Sequence, residues 1–129
     1  MNSKRHLLVS AIVSCVACCV SLPALAQAYP TKPIRLVVPF GAGGVADLTA
    51  RTVAQKMGET LGQSIVIDNK PGAGGVVAGD AVAKAKPDGY TLLLVSNGTA
   101  VSAGLFKSLP FDTAKDFSPI STLGFFDIA

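Results

Sequence analysis

Beyond residue 28 this sequence contains neither cysteine nor histidine. Its three cysteines (Cys15, Cys18, Cys19) and its one histidine, His6, all lie close to the start. The rest of the chain is therefore excluded from disulfides, cysteine nucleophiles, Ser-His-Asp triads and the usual zinc sites. A domain with an adequate apolar core needs no disulfides, so their absence does not argue against export. Charge is scarce too. With Lys4 and Arg5 set aside as part of a leader, nine basic residues face eight acidic ones, a net charge of +1. No basic patch and no interleaving of basic and aromatic residues occurs, so nucleic acid is not an expected partner.

What the first residues do contain is a leader. Lys4 and Arg5 form a positive start, Leu7 to Val20 is apolar or small and uncharged, and Pro23 breaks any helix. Ala24-Leu25-Ala26 and Ala26-Gln27-Ala28 offer the small residues that a signal peptidase reads. The expectation is a signal peptide over 1–28, cleaved after Ala28. A membrane anchor is the competing reading, since the uncharged stretch approaches the ~20 residues of a span. Ile12-Val13-Ser14-Cys15 fits a lipobox only loosely, because the sequence after Cys15 stays apolar.

The remainder, 29–129, has the length and apolar content of one small globular domain. Ile34 to Val38 reads as a strand covered on both faces. Asp47 is placed to cap a helix running to Leu61, with Leu48, Val53, Met57 and Leu61 near one face and Gly62 as C-cap. Ser64 to Asp68 and Tyr90 to Val95 read as further strands, with a small-residue helix from Gly74 or Gly75 to Ala85 between them. Ala100 to Leu109 is weakly specified. Asp112 is placed to cap a single turn through Asp116, and Pro119 to Leu123 suggests a fourth strand. Strand–helix–strand alternation predicts an α/β fold with a parallel sheet and flanking helices. The corners after the strands, at Gly41, Asn69 and Ser96, then share the carboxyl edge, where such sheets bind ligands.

The first of these corners is the most telling. Gly41-Ala42-Gly43-Gly44-Val45 follows a strand and opens a helix, and Gly72-Ala73-Gly74-Gly75-Val76 repeats it letter for letter. Such a turn directs unpaired backbone N–H groups and the positive end of a helix dipole at one point, which suits an anion. The same residues fit the dinucleotide pattern G-x-G-x-x-[GA], with Asp68 at the end of the second strand as the ribose acid. Against that reading, Pro39 and Phe40 separate the strand from its first glycine, and the leader exports the chain away from nicotinamide cofactors. A third reading gives the glycines only tight turns and close helix–sheet packing. Asp47 has several possible roles: a helix cap, a partner of Arg51 four residues on, or a partner for a ligand amine or hydroxyl.

Tyr29-Pro30-x-Lys32-Pro33-Ile34-Arg35-Leu36-Val37-Val38-Pro39-Phe40 followed by Gly-Gly-x-x-Asp at Gly43 to Asp47 resembles the Bug family, the extracytoplasmic solute-binding proteins of tripartite tricarboxylate transporters. Further matches are Asn69-Lys70-Pro71-Gly72-Ala73-Gly74-Gly75 and Ala83-Lys84-Ala85-x-Pro87-Asp88-Gly89-Tyr90-Thr91-Leu92. Leu109-Pro110-Phe111-Asp112 followed by Lys115-Asp116-Phe117-x-Pro119-Ile120 completes the set. The resemblance implies a two-lobed periplasmic binding protein, not an enzyme and without a cofactor. Its cleft would hold a small organic carboxylate, such as a dicarboxylate, an acidic amino acid or an aromatic acid. Its partners in full-length form would be the membrane subunits of the transporter. Residues 29–129 would be the N-terminal part of the first lobe, with the second lobe absent. By the same resemblance Phe40, Gly41, Ala42, Gly43, Gly44 and Asp47 form the loop that grips a ligand carboxyl group, and Ser96, Asn97, Gly98 and Thr99 form the corner facing it. The family commonly carries an Asn-Pro pair shortly after that corner, where this chain has Ser102-Ala103. Two alternatives stay open at this point: a fragment of a Rossmann-like nucleotide-binding enzyme, and a truncated product that binds no ligand. An open partial lobe leaves each hydrogen bond to a carboxylate worth only ~1 kcal/mol, so affinity is expected to be on the order of millimolar.

Overall fold

The computed structural model describes residues 28–124, so all of the expected leader except Ala28 lies outside the described residues. Three strands, β1 (Ile34–Val38), β2 (Ile65–Asn69) and β3 (Thr91–Leu93), form a parallel sheet in the order β2-β1-β3. Ile34 lies opposite Ile65 and Val38 opposite Asn69, while Arg35 to Val37 face Thr91 to Leu93. The ladder closes at the carboxyl edge, where Lys70 N–H donates to Val38 O at 2.8 Å and Leu94 N–H to Val37 O at 2.9 Å. All three strands therefore end at one edge, as the sequence reading expects.

Helix α1 (Val45–Leu61) joins β1 to β2, and α2 (Val76–Ala83), entered through a 3-10 turn at Ala73–Gly75, joins β2 to β3. Chain progress reverses direction across the sheet between these two crossovers. With right-handed connections, α1 and α2 fall on opposite faces, and a crevice opens at the carboxyl edge where the order switches, between β1 and β3. Leu36 and Val38 pack with Ala50 of α1, and Ile65, Ile67, Leu92 and Leu94 close around them.

Several expectations need correction. The buried stripe of α1 is Asp47, Ala50 and Ala54; Leu48 is 57% exposed, and Met57 and Leu61 are also exposed. Small side chains let the helix sit close against branched strand residues, and bulkier neighbours are left off the contact. Asp47 is not the N-cap of α1. That position is Gly44, and Asp47 lies in the first turn. The weakly specified stretch after β3 is helical, α3 (Asn97–Leu105), so Ser96 to Thr99 begins a helix instead of forming a loop. No strand forms at Pro119 to Leu123; no described strand pairs with it, and Ile120 is exposed. Other local expectations hold. Gly62 closes α1 in the left-handed conformation (φ 67°). Asp112 Oδ1 accepts the N–H groups of Ala114 and Lys115 in the turn that ends at Asp116.

Two separate sequence motifs prove to be one contact at the opposite edge of the sheet. Tyr29 donates its hydroxyl to Gly89 O at 2.6 Å, and Thr31 N–H donates to the Tyr90 hydroxyl at 2.9 Å. Lys32 stands 4.2 Å above the Tyr90 ring and 3.4 Å from Asp88. The arm before β1 is thereby tied to the turn before β3, away from the carboxyl edge.

Candidate functional site

The two identical pentapeptides adopt different structures. In the first, Gly43 is left-handed (φ 87°) and Gly44 is extended (φ −78°, ψ 168°) as the N-cap of α1. A Cβ placed on Gly41 or Gly43 would meet nothing within 4 Å, and one on Gly44 would meet only Gly41 O at 3.7 Å. In the second, Gly72, Ala73, Gly74 and Gly75 all have positive φ. A Cβ on Gly74 would stand 2.5 Å from Ser102 Oγ, and one on Gly75 would stand 2.7 Å from Thr99 Oγ1 and 3.4 Å from Pro39. The second turn is filled by α3 and serves packing. The first opens on space, and no side chain caps the amides at the start of α1.

What holds the first loop is a closed set of polar contacts. Asp47 is 2% exposed. Its Oδ2 accepts Gly43 N–H at 2.8 Å and Arg51 Nε–H at 2.9 Å, and its Oδ1 accepts Asn69 Nδ2–H at 2.9 Å. Asn69 also donates to Phe40 O at 3.0 Å and accepts from Arg51 Nη2 at 3.2 Å. The Arg51 hydrogen bond is the chief reason that the Asp47 carboxyl is held far below the usual carboxylate range. The Gly43 amide and the Asn69 amide add to it, and burial opposes it. The Arg51 guanidinium is in turn raised by Asp47. Asp47 is thus ionised, paired with Arg51, and has both oxygens hydrogen-bonded.

The sequence-predicted residues divide accordingly. Gly41, Ala42, Gly43 and Gly44 line the exposed loop, Phe40 contributes its carbonyl to Asn69, and Asp47 supports the loop from beneath. Among the four residues after β3, Ser96 is the N-cap of α3, and its carbonyl accepts Thr99 N–H and Ala100 N–H. Asn97 Oδ1 accepts Gly98 N–H, and Gly98 O accepts the Ser102 hydroxyl. Thr99 is 4% exposed, and its Oγ1 has no hydrogen-bond partner. It lies beside Gly75 and Pro39, so the corners of all three strands meet there. Ser102, at the departure from the family pattern, is buried inside α3 and donates to Gly74 O at 3.2 Å. The expected Asp47–Arg51 pair forms, but Asn69, which joins both to the loop, was missed as a support. The available signal was a polar residue closing a strand beside the glycine corner, with an arginine one turn beyond Asp47.

Asp68, the acid required by the dinucleotide reading, is held by Arg35 through Nε at 2.9 Å and through Nη2, with Lys70 at 3.9 Å. Among the described residues no group of three or more His, Cys, Asp or Glu is placed to hold a metal, and no helix is long and apolar enough to cross a membrane. An open groove of about 680 Å³ lies between α1 and β2, along Gln55, Gly58, Gln63, Ile65 and Ile67. It is away from the converging corners, and its charged wall residue, Arg51, is committed to Asp47.

A sequence model of the tripartite tricarboxylate transporter family receptor matches residues 49–128. The chain belongs to that family. The motif-based resemblance and this match agree. Protein BugT of Bordetella pertussis is 41% identical over 126 residues, covering 96% of this chain and 38% of BugT. MatC from Rhodopseudomonas palustris, solved with bound malate, superposes with a TM-score of 0.70 at 43% identity, over 74% of this chain and 33% of MatC. R. palustris Rpa4515, solved with adipate, gives 0.58 at 36% identity over 67% and 29%. The chain spans about a third of the length of the curated relatives it matches.

Proposed function

We propose that this chain is part of a periplasmic solute-binding receptor, and that the open mouth of α1 receives a carboxylate group of a small organic acid. The observation that carries the reading is the contrast between the two glycine turns. One is packed shut by α3, while the other presents uncapped helix amides to open space over an Asp47 paired with Arg51. The malate and adipate bound to relatives of the same fold support a carboxylate as the solute. Residues 29–129 would then be one part of the first lobe. Export by the leader and delivery to the membrane subunits of a tripartite transporter complete the proposal.

Saturation-transfer NMR of the purified chain against malate, adipate, succinate, glutamate and benzoate tests the reading, with glucose and adenosine as controls. Transfer to one or more acids, with dissociation constants on the order of millimolar for an open site, is expected. Transfer to adenosine but to none of the acids would overturn it.

A further inference from the structure

We propose that Asn69 is the positioning residue that sets the shape of the carboxylate-receiving loop, acting through Asp47 and the Phe40 carbonyl without touching the solute. The inference rests on the proposed carboxylate reading only for its binding consequence. Asn69 is the last residue of β2, on a different element from the loop it holds. Its Nδ2 faces two groups that only accept, Phe40 O at 3.0 Å and Asp47 Oδ1 at 2.9 Å. Its Oδ1 faces a group that only donates, Arg51 Nη2 at 3.2 Å. The chemistry of these neighbours permits one orientation of the side-chain amide. An aspartate of the same shape has no donor for the first pair, and an alanine has neither function. Through Asp47 the set continues to Gly43 N–H. Asn69 therefore fixes both ends of the loop, Phe40 where it leaves β1 and Gly43 where it enters α1. Between these points Gly41 and Gly43 have open space where a side chain would lie, so packing does not impose the same shape.

The same β2 corner continues into Gly74 and Gly75, which hold Ser102 and Thr99 of α3. One segment thus ties together the two corners that flank the crevice.

The test uses the 15N-labelled chain with succinate as the probe, comparing wild type with Asn69→Asp and Asn69→Ala. Amide exchange at Gly43 is read without ligand, and affinity by titration. Both variants are expected to speed Gly43 exchange roughly tenfold or more, the scale of one lost hydrogen bond, and to weaken succinate by a similar factor. Lys70 N–H, paired with Val38 O in the sheet ladder, is expected to keep its protection. Asn69→Asp is expected to be no better than Asn69→Ala, which a space-filling role would not produce. If Asn69→Ala fails to fold, Asn69→Asp carries the test. Unchanged Gly43 exchange in folded Asn69→Asp would overturn the proposal. A wild-type chain that ignores succinate while Gly43 still responds to Asn69→Asp would uphold the positioning role and remove the carboxylate reading instead.

Discussion

The Asp47 carboxylate reaches back four residues to accept the Gly43 amide at 2.8 Å. This contact curls the loop over the start of α1 and removes one amide from those available to a solute. The amides left open belong to the first turn of the helix, beyond the N-cap Gly44. The Asp47 side chain therefore supports the loop, with both of its oxygens already taken by Gly43, Arg51 and Asn69.

Stability should depend on acid pH through Asp47. Its folded-state pKa is depressed below the ordinary 3.8. In the unfolded chain the group takes up a proton near that value, whereas in the folded chain it resists. The stabilisation is present above about pH 4 and is lost as pH falls toward the folded pKa. Asp47→Asn, which removes the charge and one acceptor, should lower the Tm at pH 7 by roughly 5 °C. Thermal melts of both proteins from pH 7 to pH 2.5 should show the gap narrowing with acid. A gap independent of pH would assign the loss to shape alone.

Gly43 and Gly44 should behave differently despite being neighbours. Gly43→Val forces a β-branched residue to φ 87° and should cost ~1–2 kcal/mol of backbone strain. It should also abolish carboxylate binding in a protein that circular dichroism shows to be folded. Gly44 has an ordinary extended conformation, so Gly44→Ala should cost only the weaker N-cap preference of alanine, less than ~1 kcal/mol. Paired melting curves check the contrast, and equal losses at both positions would contradict it.

Gly79 should tolerate no side chain while Phe111 remains. A Cβ there would stand 2.5 Å from Phe111 Cζ, and that ring is buried with its edge to Phe117 at 5.4 Å between centroids. Gly79→Ala should destabilise by ~1–3 kcal/mol from overpacking. In urea unfolding, adding Gly79→Ala to a Phe111→Leu background should cost less than adding it to wild type. The same cost in both backgrounds would show that the clash is not with the ring.

Local chemistry made much of this fold legible. The apolar run Ile34 to Val38, the αL glycine Gly62 and the Asp112 turn are each decided within a few residues, and each was readable. The misread features depend on partners distant in sequence. Leu48 and Met57 look like a core face until Ala50 and Ala54 are seen to bring α1 close to the sheet. Pro119 to Leu123 has a strand's composition, but no described strand pairs with it. The duplicated pentapeptide is the clearest case. Identical letters form an open turn in one place and a filled one in the other, because Thr99 and Ser102 lie against only the second. For the site, the Phe40 to Gly44 loop was evident from its glycines. Asn69 was not, since its role exists only across the β1–β2 boundary.

Thr99 should separate stability from binding. Its buried hydroxyl lacks a partner in the free protein. Thr99→Val removes that unsatisfied group while keeping the side-chain shape, so the Tm should hold or rise. Carboxylate affinity, read by the same ligand-observed NMR, should be little changed, because the hydroxyl is enclosed against Gly75 and does not open on the crevice. A variant that is markedly less stable would show that the hydroxyl has a structural partner.

The central claim is that a carboxylate sits at the mouth of α1. A 15N-resolved titration of the chain with malate, at constant ionic strength and pH, tests it most directly. The account predicts saturable shifts at the Val45, Ala46 and Asp47 amides, with little change at Gly89 and Tyr90 on the opposite edge. Shifts confined to the β2 corner, or none at the start of α1 at saturating malate, would contradict it.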